Sequence, residues 1–206
     1  MSVNFLDPRE AERFIRDAFA GQPERLRHIL VIAERARQSA RDIAARHPHQ
    51  PVQEETVYCA ALVHDIGYLD AANRTGFHPL DGYHFLCAQG AEALARRIVG
   101  HSSSPEEARL LGLPLPDHDE DLVAQLVTYW DMQVKQGGEV VGYEARYRDI
   151  LRRYGEASVV GRANRLARPR IRRILAAVER LLSPNVALEP PVPTAVGAQR
   201  TQRKAR

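Results

Sequence analysis

The stretch that most constrains the fold is AALVHDIGYLD, residues 60–70. Ala60, Ala61, Leu62 and Val63 run in succession, and His64 and Asp65 follow side by side. The stretch reads as the interior of a buried helix over residues 53–66, apolar nearly all round, with Gly67 as its stop. An ionised carboxylate removed from water is costly unless it is paired or bound to a metal. Any fold this chain adopts must therefore bring a partner to Asp65.

The periodicity around it is helical throughout. Residues 5–20 predict a first helix, with Asp7 as N-cap, Pro8 at the first helical position and Glu10 three residues after the cap. Residues 23–46 carry the stripe Ile29, Ile32, Ala33, Ala36, Ala40, Ile43, Ala44. HPHQPVQ breaks that helix with Pro48 and Pro51. A loop over 70–82 leads into a helix expected to end near His101. Residues 102–121 read as a short acidic helix and a Pro-containing loop, 121–134 as a strong helix, and 142–154 and 156–182 as Arg-rich helices. From Ser183 the apolar period dissolves, so 183–206 reads as a disordered, Pro-containing basic tail. Alternating runs bounded by turns are missing. The expectation is an all-α chain: one helical bundle over residues 1–182, then the tail.

Composition sets the class. Of 206 residues, 44% are hydrophobic and 27% charged, which suits a globular core. The net charge of +3 is mild and weighted to the far end, so it does not by itself argue for nucleic acid. Cys59 and Cys87 both lie in apolar segments and make no disulfide framework. The opening MSVNFLDPREAERF lacks the pattern of a signal peptide, and no apolar run approaches the length of a membrane span. A cytoplasmic protein with no membrane partner is expected.

Polar residues on apolar faces locate the chemistry. In 121–134, Val123, Val127 and Asp131 fall four apart, so Asp131 lies on the buried face. Leu94 and Ile98 precede His101 on one stripe, and His28 precedes Ile32 and Ala36 by four and eight. Several helices thus direct His28, His64 with Asp65, His101 and Asp131 inward. Imidazoles and carboxylates around one centre suit Mn, Fe, Co, Ni, Zn or Mg, and helical bundles build metal sites in this way. Asp65, with two oxygens, could bridge two ions.

The order His28, His64-Asp65, Asp131 resembles the HD-domain superfamily of metal-dependent phosphohydrolases over most of residues 20–155. LVHDIG, HPLDG, IVGHSS and LVTYWDM carry the likeness. The resemblance implies metal ligation by His28, His64, Asp65 and Asp131, with Asp65 and His64 at the catalytic centre. His78 and His101 match the positions that complete a second metal site or contact substrate. It also implies one or two divalent ions per chain and a small phosphorylated substrate, such as a nucleotide, attacked by an activated water. Two alternatives keep the fold: a di-iron oxygenase, or an inactive domain that binds a nucleotide or a partner. The chain departs from the family where Tyr68 stands in place of a lysine found in many members, and it lacks the signatures of the cyclic-di-nucleotide phosphodiesterases.

Other candidates read more plainly. His84 reads as a partly buried histidine without chemistry, and His47, His49 and His118 as solvated loop residues. Asp81 suits either a helix cap or an orienting partner for a ligating histidine. Arg74 reads as a surface arginine. The segment 162–180 has no interleaved aromatics, and its Leu166, Ile171, Ile174, Leu175 stripe is expected to pack on the core, leaving a solvated arginine face.

Overall fold

A computed structural model describes residues 3–184. The predicted tail falls at 183–206, and all of it beyond residue 184 lies outside the described residues. Nine α-helices are present among the described residues: α1 (Pro8–Ala18), α2 (Pro23–Arg46), α3 (Glu54–Val63), α4 (His78–Ala88), α5 (Glu92–Ile98), α6 (Ser104–Leu111), α7 (Leu122–Asp131), α8 (Tyr143–Tyr154) and α9 (Val159–Leu182). Among the described residues the only β-bridge is an isolated antiparallel pair, Val134 with Val140.

The local signals explain most boundaries. Asp7 caps α1, its carboxylate accepting from the amides of Arg9 and Glu10, with Pro8 behind it. Asp121 and Ser158 cap α7 and α9 in the same way. α3 is the hub: Val57 through Val63 are all buried, and the helix packs against α1, α2, α5 and α7. α9 closes the other side against α6, α7 and α8. One apolar cluster runs from Phe5 to Val178, and a satellite of Phe77, Leu80 and Ala108, with Leu113 and Leu115 packed on it, joins the start of α4 to α6.

Three expectations need correction. The helix expected over 53–66 stops at Val63; His64 and Asp65 follow in a turn, and Ile66–Tyr68 form one 3-10 turn. The reason is contact with α4. A Cβ at Gly67 would lie 1.8 Å from the His78 carbonyl oxygen, so the backbone at Gly67 touches the start of α4 directly. His64 and Asp65 therefore stand at a helix end, not in a helix interior. The single helix expected to run to His101 is two, α4 and α5, separated at Gly90, whose φ of +76° lies in the left-handed region. On α9 the inward stripe is Ala163, Asn164, Ala167, Ile171, Leu175 and Val178, whereas Leu166 is exposed.

Candidate metal centre

Five elements converge on one point. α2 supplies His28 from near its start, and the end of α3 supplies His64 and Asp65. His78 is the first residue of α4, His101 follows α5, and Asp131 is the last residue of α7. His28, His64, Asp65, His101 and Asp131 are buried, and His78 is half-buried. All six predicted site residues are brought together.

The distances define two overlapping groups. Ligand atoms of His28, His64 and Asp65 lie within 4.8 Å of one another, and so do those of Asp65, His78 and His101. Asp65 belongs to both. Its Oδ1 is 3.6 Å from Nε2 of His64 and 3.6 Å from Nε2 of His78, while Oδ2 is 4.0 Å from Nε2 of His28. Asp131 joins through Oδ1, 3.2 Å from Nε2 of His28. The imidazoles are arranged edge to face or tilted, with ring centres 5.6 Å apart for His28 and His64, 5.5 Å for His64 and His101, and 5.4 Å for His78 and His101.

Backbone carbonyls set the ring orientations. Nδ1–H of His28 donates to the Lys135 carbonyl at 3.1 Å, that of His64 to Ala61 at 2.7 Å, and that of His101 to Ile98 at 2.5 Å. A carbonyl can only accept, so each bond places a proton on Nδ1. In a neutral ring Nε2 then carries a lone pair; Nε2 of His28 lies 3.2 Å from Asp131 Oδ1 and that of His64 3.6 Å from Asp65 Oδ1. Each such contact calls for a proton on Nε2 or a metal ion between nitrogen and oxygen, and the 3.2 Å approach of His28 to Asp131 is short enough for a hydrogen bond. The Nε2 of His64 is fully buried with no hydrogen-bond partner. An orphaned buried nitrogen of this kind is costly, and a divalent ion would satisfy it. The donor set, imidazole nitrogen and carboxylate oxygen, fits such an ion.

Electrostatics keep the donors in ligating form. Burial would raise the Asp65 carboxyl, but His64 and Arg25 outweigh it and hold the group below the usual carboxylate range. Burial acts on Asp131 in the same sense, and the His28 hydrogen bond, with His64 and Arg146 nearby, again holds it well below that range. Burial pushes the His78 imidazole down to about 3 and lowers His101. Both carboxyls are thus ionised near neutrality, and these two histidines are uncharged.

The partner that Asp65 requires is in part an arginine. Arg25 Nη1 donates to Oδ2 at 2.7 Å, leaving Oδ1 to the histidines. The Arg25 guanidinium also lies 3.4 Å from the centre of the Tyr68 ring, which stacks on His78 at 4.0 Å. Tyr68 therefore clamps Arg25 and His78, and a cation from α2 lies beside the position where many family members carry a lysine. Burial and Asp65 raise the Tyr68 phenol, which stays a neutral hydroxyl.

Several contributors escaped the sequence reading. Ser102 Oγ–H makes a short hydrogen bond to Asp131 Oδ2 and fixes that carboxylate. Its φ of +52° is rare for a residue with a side chain, and its amide donates to Thr128 Oγ1 at 3.1 Å. Arg25, Arg146 and Arg153 border a cavity of about 130 Å³ whose floor includes His28, Asp65, His78, His101 and Asp131. Asp81 holds no metal-site histidine: its carboxylate accepts from the Thr75 amide and hydroxyl and the Gly76 amide at 2.8–3.1 Å, tying down the loop before His78. Arg74 is exposed and outside the cavity lining. His47 and His118 are half-buried rather than solvated: His47 Nε2 lies 3.0 Å from the Leu181 carbonyl, and the His118 ring packs on Gly100.

No curated protein and no solved structure matches the chain. The model of the HD domain family matches residues 25–132, more than half of the chain. That span begins at the arginine paired with Asp65 and ends one residue past Asp131, and it contains all six convergent histidines and carboxylates. With the helical architecture and the ordered His28, His64-Asp65, Asp131 set, the match establishes that this chain belongs to the HD domain family.

Proposed function

We propose that the protein is a metal-dependent phosphohydrolase that transfers the phosphoryl group of a nucleotide or other small phosphate ester to water. One observation carries this reading: the histidine–carboxylate cluster is the floor of a cavity whose walls present Arg25, Arg146 and Arg153. Cation ligands at the bottom and cations at the sides suit a phosphate.

His28, His64, Asp65 and Asp131 would hold one divalent ion, and Asp65, His78 and His101 a second. When bound, such an ion lowers the pKa of water and neutralises phosphate oxygens. The chain's own residues do the positioning. The carbonyls of Lys135, Ala61 and Ile98 aim three imidazoles. Arg25 and Ser102 orient the two carboxylates. The arginines draw the anion inward and face its charge. No side chain need form a covalent intermediate. Burial pushes the Cys59 thiol up to about 12, and the hydroxyls of Ser102 and Ser104 donate to Asp131 and the His101 carbonyl.

The test is hydrolysis of p-nitrophenyl phosphate and nucleoside monophosphates with Mn, Mg, Fe, Co, Ni or Zn supplied in turn. Turnover that needs added metal, stops on chelation and falls to background in Asp65→Asn is expected. Turnover that survives in Asp65→Asn, or none with any metal, would overturn the reading.

A further inference from the structure

Of the three wall arginines, Arg146 alone makes no side-chain hydrogen bond among the described residues, since Arg25 donates to Asp65 and Arg153 to Gln136. It lies on α8, beyond the span matched by the family, and its side chain is 12% exposed. Its Nε is fully buried with no hydrogen-bond partner. Its ion pairs among the described residues are long: Nη1 to Asp149 Oδ2 at 3.5 Å and Nη2 to Asp131 Oδ1 at 3.9 Å. Neither is a good hydrogen bond. Asp149 does not depend on it, since Arg152 donates to that carboxylate at 2.6 Å. A guanidinium carries five donors in a planar fork, and holding it nearly buried without acceptors is costly. Here the fork borders the cavity, just beyond a carboxylate of the metal-ligand cluster.

We propose that Arg146 is the phosphate-binding residue of the site, and that its fork selects phosphate monoesters over diesters. This rests on the phosphohydrolase reading above. The selection follows from counting oxygens. A monoester has three non-bridging oxygens, enough for one to face the histidine–carboxylate floor while two accept both arms of the guanidinium. A diester has only two, so one arm goes unpaired when the floor takes an oxygen. The second ester group would also have to stand on the side of the cavity that Arg146 borders. Arg153, on the same helix two turns later, donates to Gln136 at the rim and leaves the inner position to Arg146.

The probes are p-nitrophenyl phosphate and bis(p-nitrophenyl) phosphate, which share a leaving group, and inorganic phosphate, whose binding is followed by calorimetry. All are used with the full chain after metal loading. The wild type is expected to prefer the monoester by a hundredfold or more in kcat/KM. In Arg146→Lys, which keeps the charge and loses the fork, the monoester-to-diester ratio should fall at least tenfold. In Arg146→Gln, phosphate should bind at least tenfold more weakly while metal content stays at the wild-type level. A wild type that prefers the diester overturns the proposal. So does a ratio unchanged in Arg146→Lys, or phosphate binding unchanged in Arg146→Gln. Metal loss in both variants overturns it too, because Arg146 would then only support Asp131. If neither ester turns over but phosphate binding is lost in Arg146→Gln, the anion site is supported and the hydrolase reading fails. If phosphate does not bind the wild type, the Arg146 site fails whatever the turnover.

Discussion

Gly67 couples the fold to the site, and adding one methyl group there tests the coupling. A Cβ would lie 1.8 Å from the His78 carbonyl oxygen and 2.7 Å from the Gly82 amide nitrogen. Both obstacles are backbone, so no side chain can swing aside. Overpacking a core costs about 1–3 kcal/mol, and two backbone clashes put Gly67→Ala at the upper end, about 3 kcal/mol. At about 2–4 °C per kcal/mol for a chain of this size, Tm should fall by about 6–12 °C. Gly82→Ala is the control. Its Cβ would meet Gly67 nitrogen and Ile66 Cγ2 at 3.2 Å, a tight but yielding contact. Inside α4 it also gains about 1 kcal/mol of helix propensity, so its Tm should stay within about 3 °C of wild type. The assay is thermal unfolding by circular dichroism in chelator, repeated after metal loading. Metal stabilisation should also shrink in Gly67→Ala, since the displaced carbonyl belongs to His78. Equal Tm losses in the two variants, or undiminished metal stabilisation in Gly67→Ala, would refute the coupling.

Further consequences can be checked separately. Glu54, bound by Arg41 and Arg37, is held down at about 2. Its contribution is therefore complete above the ordinary carboxylate pKa near 4.5 and is lost as pH falls from there toward 2. Glu54→Gln should flatten that acid limb in urea titrations by no more than about 1 kcal/mol, because the ion pairs are partly solvated. Asp81→Ala removes three hydrogen bonds to Thr75 and Gly76, so trypsin should cut after the exposed Arg74 faster than in wild type while α2 and α3 stay resistant. Asp7→Ala strips the α1 cap and should cost about 1 kcal/mol in chemical denaturation.

The residues explain how far the sequence could be read. α2 was legible to its end because an apolar stripe ran between Pro23 and the break at Pro48. Asp131 and His101 were found because a polar group interrupted an apolar row. The same signal was present at Arg146, which lies three after Tyr143 and four before Ile150, both buried. There it does not discriminate, because α8 is rich in arginine and one more reads as solvated. The end of α3 at Val63 was not legible, since Ala60–Val63 and Ile66 continue the apolar run. What ends the helix is a tertiary contact, Gly67 against α4. Gly90 was masked by the helical period that resumes at Leu94. Ser102 left no trace because its role depends on a left-handed turn that brings it to Asp131.

The most direct measurement of the central claim is elemental analysis of the wild type beside Asp65→Ala, purified without added metal or chelator and then after Mn, Fe or Ni is supplied. Asp65 lies in both ligand groups, so one or two ions per chain in the wild type, lost in the variant, is the predicted result. No metal in either protein under any of these conditions would contradict it, leaving Asp65 satisfied by Arg25 and the cluster a set of buried histidines without an ion.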